Sequence, residues 1–225
     1  IRRQRQMCIR DRVMAVLRPI KLTITNYPAG KTETVTVENN PLDPSAGTRE
    51  VPFSGSLWIE ADDFMAEPIP KYKRLFPDGP ECRLKGAYLV KCTGCVKDES
   101  GHITEVLCEY DPNSRGGDPA DGRKVKGTIH WVSAAHCIDA EVRLYDKLFT
   151  EANMNAIPEG SDYKDYLNPE SVVVRKGCKL EESLKDAKPG EKFQFVRTGF
   201  FTPDSKNPGV YNRVVTLRDS FKPAK

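Results

Sequence analysis

Histidine and tryptophan are scarce: three His and two Trp stand among 225 residues. So few imidazoles leave little for acid–base or metal chemistry, which needs a histidine with carboxylate or cysteine partners. Two catalytic signatures are missing, a phosphate loop of the G-x-x-x-x-G-K type and a G-x-S-x-G nucleophile elbow. No window stays apolar over the roughly 18 residues that a membrane helix needs. No apolar core followed by small residues marks a secretory leader. Paired cysteines are not evident either, since the seven Cys are an odd number scattered along the chain. That usage fits free thiols in a reducing compartment, so a cytoplasmic protein is expected, with no membrane partner.

Two remaining groups could still carry chemistry. Cys92 and Cys95, in "KCTGC", could join Cys82, Cys108 or His102 in a four-ligand zinc site. No second C-x-x-C accompanies them, so Cys92 and Cys108 read as small apolar strand residues and no metal is expected. His130 and His136 are six apart in "HWVSAAH", which puts both on one face of a strand. Backbone groups can satisfy a strand histidine and a loop histidine; a metal-dependent enzyme built on them and the cysteines is the rival. The acid pairs Asp62–Asp63 and Glu181–Glu182 fall in turn-like segments and read as solvated or capping. No catalytic residue is expected in this chain.

What is present is strand text. A chain with 38% hydrophobic and 30% charged residues is long enough for one large domain or two small ones. Alternating or β-branched runs recur at 21–27, 33–39, 55–61, 83–92, 103–111, 125–134, 140–149, 171–177, 192–201 and 210–219. Turns such as "PAGK", "PDGP", "DPADG" and "NPG" separate them. Many short strands between Gly, Pro, Asn and Asp predict an all-β fold of two antiparallel barrels. Turn placement suggests a distal barrel at 61–127 inserted into a discontinuous proximal barrel made of 12–60 and 128–225. The opening string "IRRQRQMCIRDR" is basic and lacks this alternation. Residues 1–11 are therefore expected to be a non-native N-terminal extension, with a basic RNA-binding arm as the alternative.

Charge is unevenly spread. The net charge is +3 and the pI about 8.4, yet "KYKRLFPDGPECRLK" holds Lys71, Lys73, Arg74, Arg83 and Lys85 against Asp78 and Glu81. A local basic patch on a balanced body suits a phosphate-rich partner without general stickiness. Arg83 and Lys85 are two apart on an expected strand and leave the same face. Tyr27, Trp58 and Trp131 could stack bases, but their alternating apolar neighbours make them core residues.

The motifs "VPFSGSLWIEADDF", "YKRL", "RKVKGTIHWVSAAH", "EVRLYDKLF", "LNPES" and "FQFVRTGFF" together resemble the C-terminal half of bacterial-type glutaminyl-tRNA synthetases, over residues 12–220. The resemblance implies two β-barrels that grip the anticodon loop of tRNA-Gln, with no DNA partner and a monomeric state. It places aminoacylation, with its ATP and Mg, in a preceding catalytic domain whose H-I-G-H and K-M-S-K-type signatures are not in these residues. It further implies that Lys73, Arg74, Arg83 and Lys85 line the pockets for the outer anticodon bases. The family usually has Arg where this chain has Lys85, and Lys keeps the charge without the planar fork. Gln194 and Arg197 match positions that read the middle and third bases, and Arg12 matches a further arginine at the middle base. The chemistry suits: a glutamine amide can satisfy uracil's mixed edge, and arginine can give two donors to guanine. Where the family carries an asparagine, this chain has Leu42, so that contact is not carried over. The rival readings are the anticodon barrel of a glutamyl-tRNA synthetase and a stand-alone ribosomal RNA-binding barrel protein.

Overall fold

Period-two alternation governs the chain from its first described residues. A computed structural model describes residues 12–119 and 121–217; the expected extension at 1–11 lies outside the described residues. The strands are β1 (Arg12–Val13), β2 (Ala15–Val16), β3 (Pro19–Ile24), β4 (Thr32–Glu38), β5 (Thr48–Ser54), β6 (Ser56–Glu60), β7 (Cys82–Leu84) and β8 (Leu89–Lys97). They continue as β9 (Ile103–Asp111), β10 (Gly127–Ile129), β11 (Trp131–Ser133), β12 (Ile138–Tyr145), β13 (Val172–Leu180), β14 (Phe193–Phe195), β15 (Gly199–Pro203) and β16 (Val210–Thr216). The described residues contain no α-helix, and no helix is long and apolar enough to cross a membrane.

Two seven-stranded sheets curl into two barrels. One has the order β10-β7-β8-β9-β3-β6-β11, and the other β1-β14-β15-β16-β12-β13-β2. Most pairings are antiparallel, and four are parallel: β1 with β14, β3 with β9, β7 with β10 and β12 with β16. The hairpin β4–β5 packs Val35, Val37, Val51 and Phe53 onto the first barrel's core. One barrel is inserted into the other, but not at the expected bounds. Strands β3 and β6, within 12–60, pair with each other and with β9 and β11, so the inserted barrel runs over 19–133 instead of 61–127. Turns show where a chain reverses; they do not show which distant strand completes its hydrogen bonds.

Three expected single strands are each two strands, the run at 125–134 parting at His130 into β10 and β11. The run at 83–92 breaks at Gly86, φ +71°, and the run at 192–201 breaks at Arg197, φ +65°. Strand β5 was not expected.

The barrels are joined by shared backbone. Val13, Ala15 and Leu17 point into the second core, while Met14 and Val16 point into the first. Alternate residues of one extended segment thus feed two cores. Glu181, 2% exposed, ties this seam. Its carboxylate accepts from Met14 N (3.0 Å), from Ser183 Oγ (2.8 Å) and from both Nε and Nη2 of Arg49 on β5. The expectation that Glu181 is solvated or capping is corrected here. A buried carboxylate keeps its charge only when its lone pairs are satisfied, and here four donors do so.

Candidate nucleic-acid interface

The parallel pairing of β1 with β14 sets Arg12 beside Gln194, from opposite ends of the chain. Both side chains are half-buried. Arg12 N donates to Asn39 O at 3.0 Å, while its buried Nε has no hydrogen-bond partner among the described residues. Lys85 joins this row from the Arg12 side, near enough for the guanidinium's charge to act on it. Its backbone is fixed by Lys85 N to Ile129 O (2.9 Å) and by Trp131 Nε1 to Lys85 O (3.1 Å). Burial, and then the positive fields of Arg12 and Arg49, hold the Lys85 ammonium below the usual lysine range. Glu38 offsets only part of this cost, which suits a surface that receives an acceptor-rich ligand.

A second cluster lies in a cleft of about 340 Å³ between the barrels, lined by Arg18, Arg74, Arg175, Arg197 and Asp63 among others. Asp63, 0% exposed, accepts from Arg74 Nη1 at 2.7 Å and from Arg197 Nη1 at 3.0 Å, and its other oxygen takes Arg197 Nη2. Arg197 Nε donates to His130 Nδ1 at 3.0 Å. The proton of His130 is therefore on Nε2, which donates to Ala15 O at 2.9 Å. Strand β14 ends at Phe195, and the left-handed backbone of Arg197 turns its side chain to the cleft. This explains how residues 194 and 197, which would face opposite ways on a flat strand, can both serve the seam. A non-glycine residue with positive φ is held there by its surroundings, and such residues concentrate at binding sites. The solvated or capping role expected for Asp63 is thus also corrected.

Lys73 and Arg83 flank β10. Gly127 passes so close that a Cβ would lie 2.1 Å from the Lys73 carbonyl oxygen, so glycine is required at that position. Exposed Lys73 lines a hollow of about 350 Å³ with Lys124 and Lys126. Arg83 lies on β7, whereas Lys85, expected on the same strand, falls in the turn after it, and Arg83 turns to a loop. It donates to Gly117 O and to Asp118 Oδ1 (3.1 Å). The structure therefore brings Arg12, Lys85 and Gln194 together, pairs Arg74 with Arg197, and leaves Lys73 and Arg83 at the flank.

The other candidates settle into structural roles. His136 Nδ1 lies 3.0 Å from Ser133 Oγ, and His102 Nδ1 lies 2.8 Å from Ser100 Oγ. Cys92 and Cys108 are buried cross-strand neighbours, and burial followed by the Asp63 charge pushes the Cys82 thiol up to about 12. Among the described residues no group of three or more His, Cys, Asp or Glu is arranged to hold a metal ion. Tyr27 and Trp131 are core residues, and Trp58 lies under the Lys179 ammonium at 5.4 Å. Leu42 is 82% exposed on the loop beyond Asn39.

Asp63, Glu181 and Arg49 were missed as members of this seam. One signal was available: five bases held around one turn need an anion near them, and "EADDF" lies close before it.

Two family models with the description "tRNA synthetases class I (E and Q), anti-codon binding domain" match this chain, over residues 11–111 and 128–204. The glutamine–tRNA ligase of Clostridium kluyveri is 52% identical over 217 residues, covering 94% of this chain and 38% of its own length. That of Vibrio cholerae is 49% identical over 227 residues, covering 96% and 40%. That of Pseudomonas syringae pv. tomato is 48% identical over 214 residues, covering 93% and 37%. The chain thus spans about two fifths of the length of the curated relatives it matches.

Proposed function

Because this chain belongs to the anticodon-binding domains of the class I tRNA synthetases for glutamate and glutamine, we propose that it selects tRNA-Gln for a glutamine–tRNA ligase. It is the anticodon-reading part of that ligase. Aminoacylation, with ATP and Mg, belongs to the remainder of the parent protein, which acts as a monomer in the cytoplasm.

The observation that carries this reading is the pairing of Arg12 with Gln194, with Lys85 near Arg12. Single-stranded RNA is read on splayed bases whose edges meet amides and guanidiniums, while Lys and Arg hold the phosphates. Gln194 offers both donor and acceptor groups to the mixed edge of the middle uracil, and Arg12 beside it brings a buried donor without a partner among the described residues. The third base, G in glutamine anticodons, enters the inter-barrel cleft with Arg74 and Arg197. Lys73 and Arg83 serve the first base and its flanking phosphates. Nothing is made or broken here, and each good base contact contributes roughly 1–3 kcal/mol of discrimination.

The test is binding of the 225-residue chain to tRNA-Gln and to the same tRNA with the third anticodon base changed from G to C, at one salt concentration. Tighter binding to G is expected. Equal binding would count against base reading, and tighter binding to C would favour glutamate tRNA, whose anticodons share the middle U.

A further inference from the structure

Asp63 has no role in the reading so far beyond filling the cleft floor, yet its contacts are unusually complete. It takes Arg74 from the first barrel and Arg197 from the second onto one carboxylate. Two guanidiniums on one wall repel each other, and a single buried anion removes most of that cost. The backbone beneath it is also held: the Asp63 carbonyl oxygen accepts from Leu75 N at 3.1 Å, which ties the segments that carry Asp63 and Arg74 to each other.

The same contacts decide which donors remain. Arg197 has Nε on His130 and both terminal nitrogens on Asp63, which fixes it as a brace. Arg74 spends Nη1 on Asp63 and on Asp62 O, and its Nε–Nη2 edge has no partner among the described residues. An open guanidinium edge supplies two donors, which match the O6 and N7 acceptors of guanine.

We infer that Asp63 is a positioning residue: it joins one arginine from each barrel into a single reading unit, with Arg197 as brace and the Nε–Nη2 edge of Arg74 as reader of a two-acceptor, guanine-like base edge. This inference rests on the anticodon reading of the same cleft, in which Arg74 already serves an outer base; what it adds is the part of Asp63, with Arg197 as brace.

The experiment measures binding of tRNA-Gln and its third-base G-to-C variant to the unsubstituted chain, Asp63→Asn, Arg74→Ala and the double variant. Asp63→Asn keeps the size of the side chain and removes its charge. Discrimination is expected to fall roughly tenfold or more in each single variant, with no further fall in the double variant. Affinity of Asp63→Asn for the C variant is expected to hold or rise, because the site has gained a net positive charge; simple loss of structure would lower it. Asp63→Asn that discriminates as well as the unsubstituted chain, while Arg74→Ala does not, overturns the inference. A second readout is the arginine side-chain NMR spectrum of the unsubstituted chain without RNA. Hindered rotation of the Arg74 and Arg197 guanidiniums supports the brace, and free rotation of both overturns it, even if Asp63→Asn does not fold. If the unsubstituted chain fails to tell G from C, the anticodon reading falls, and the spectrum alone judges the brace.

Discussion

The two clusters at the seam solve opposite electrostatic problems. In the cleft, Asp63 neutralises Arg74 and Arg197 before any ligand arrives. In the row, no carboxylate is hydrogen-bonded to Arg12 or Lys85 among the described residues, and the charge of Glu38 offsets only part of the cost at Lys85; Lys85 is held below its usual range and Arg12 Nε is unpaired among the described residues. The cleft is built in advance, so its residues should stabilise the fold as well as the choice of base. The row is held under mutual repulsion, so its residues should favour the RNA at the expense of the fold. The lesson is that equal basicity in sequence conceals unequal energetics, because the surroundings decide whether a cation is paired.

The largest test of this contrast is Asp63→Ala. Removing a buried anion leaves two guanidiniums facing each other; about 2–4 kcal/mol of stability should be lost in a urea melt, reaching below the ~3–5 kcal/mol of a fully buried pair because both arginines stay partly exposed. Next, Gln194→Ala should lower affinity for tRNA-Gln by about 1–3 kcal/mol while a middle-base variant of the tRNA changes little, so the preference for the middle U disappears. Unlike Asp63→Ala, it should leave the melt nearly unchanged. A drop in the melt comparable to that of Asp63→Ala would erase the distinction between row and cleft.

A smaller effect carries the opposite sign for stability. Lys85→Met should melt at the same or a higher denaturant concentration, since it removes a charge that its surroundings disfavour in the folded chain. It should also weaken tRNA binding and lower the slope of log affinity against log salt by about 0.7, as expected for one lost contact to a single strand.

The smallest effect is a pH profile. The unfolded chain holds the Lys85 proton more tightly than the folded one, so the charged form opposes folding at neutral pH, and this opposition fades as pH rises through the lowered native value. RNA affinity, which needs the charge, should fall over the same window. Lys85→Arg, which stays charged, should flatten that fall in a fluorescence titration taken upward from neutral pH. Parallel profiles for both chains would mean that Lys85 is not the titrating group.

Much of the fold was legible because strand periodicity is local. The 103–111 run coincides with β9, and the runs at 33–39 and 210–219 lie within a few residues of β4 and β16. The nesting of one barrel in the other was legible in kind, while its bounds were not, because β3 finds its partner β9 some eighty residues on. For the site, the identities of Arg12, Lys73, Arg74, Arg83, Lys85, Gln194 and Arg197 came from motif resemblance, and their grouping did not. Arg83 and Lys85, two apart in sequence, serve different neighbours, since Arg83 reaches a loop from β7 and Lys85 sits in the turn after it, near Arg12.

The sequence by itself determined strand text, the pattern of turns, a basic segment on a near-neutral chain and the absence of catalytic signatures, all of which depend on neighbours only a few residues apart. Tertiary structure alone decided that Asp63 and Glu181 are buried anions, that Arg12 meets Gln194, and that one stretch of backbone serves two cores. These facts turn on burial and on the distance between charges, which emerge only when remote segments pack and exclude water.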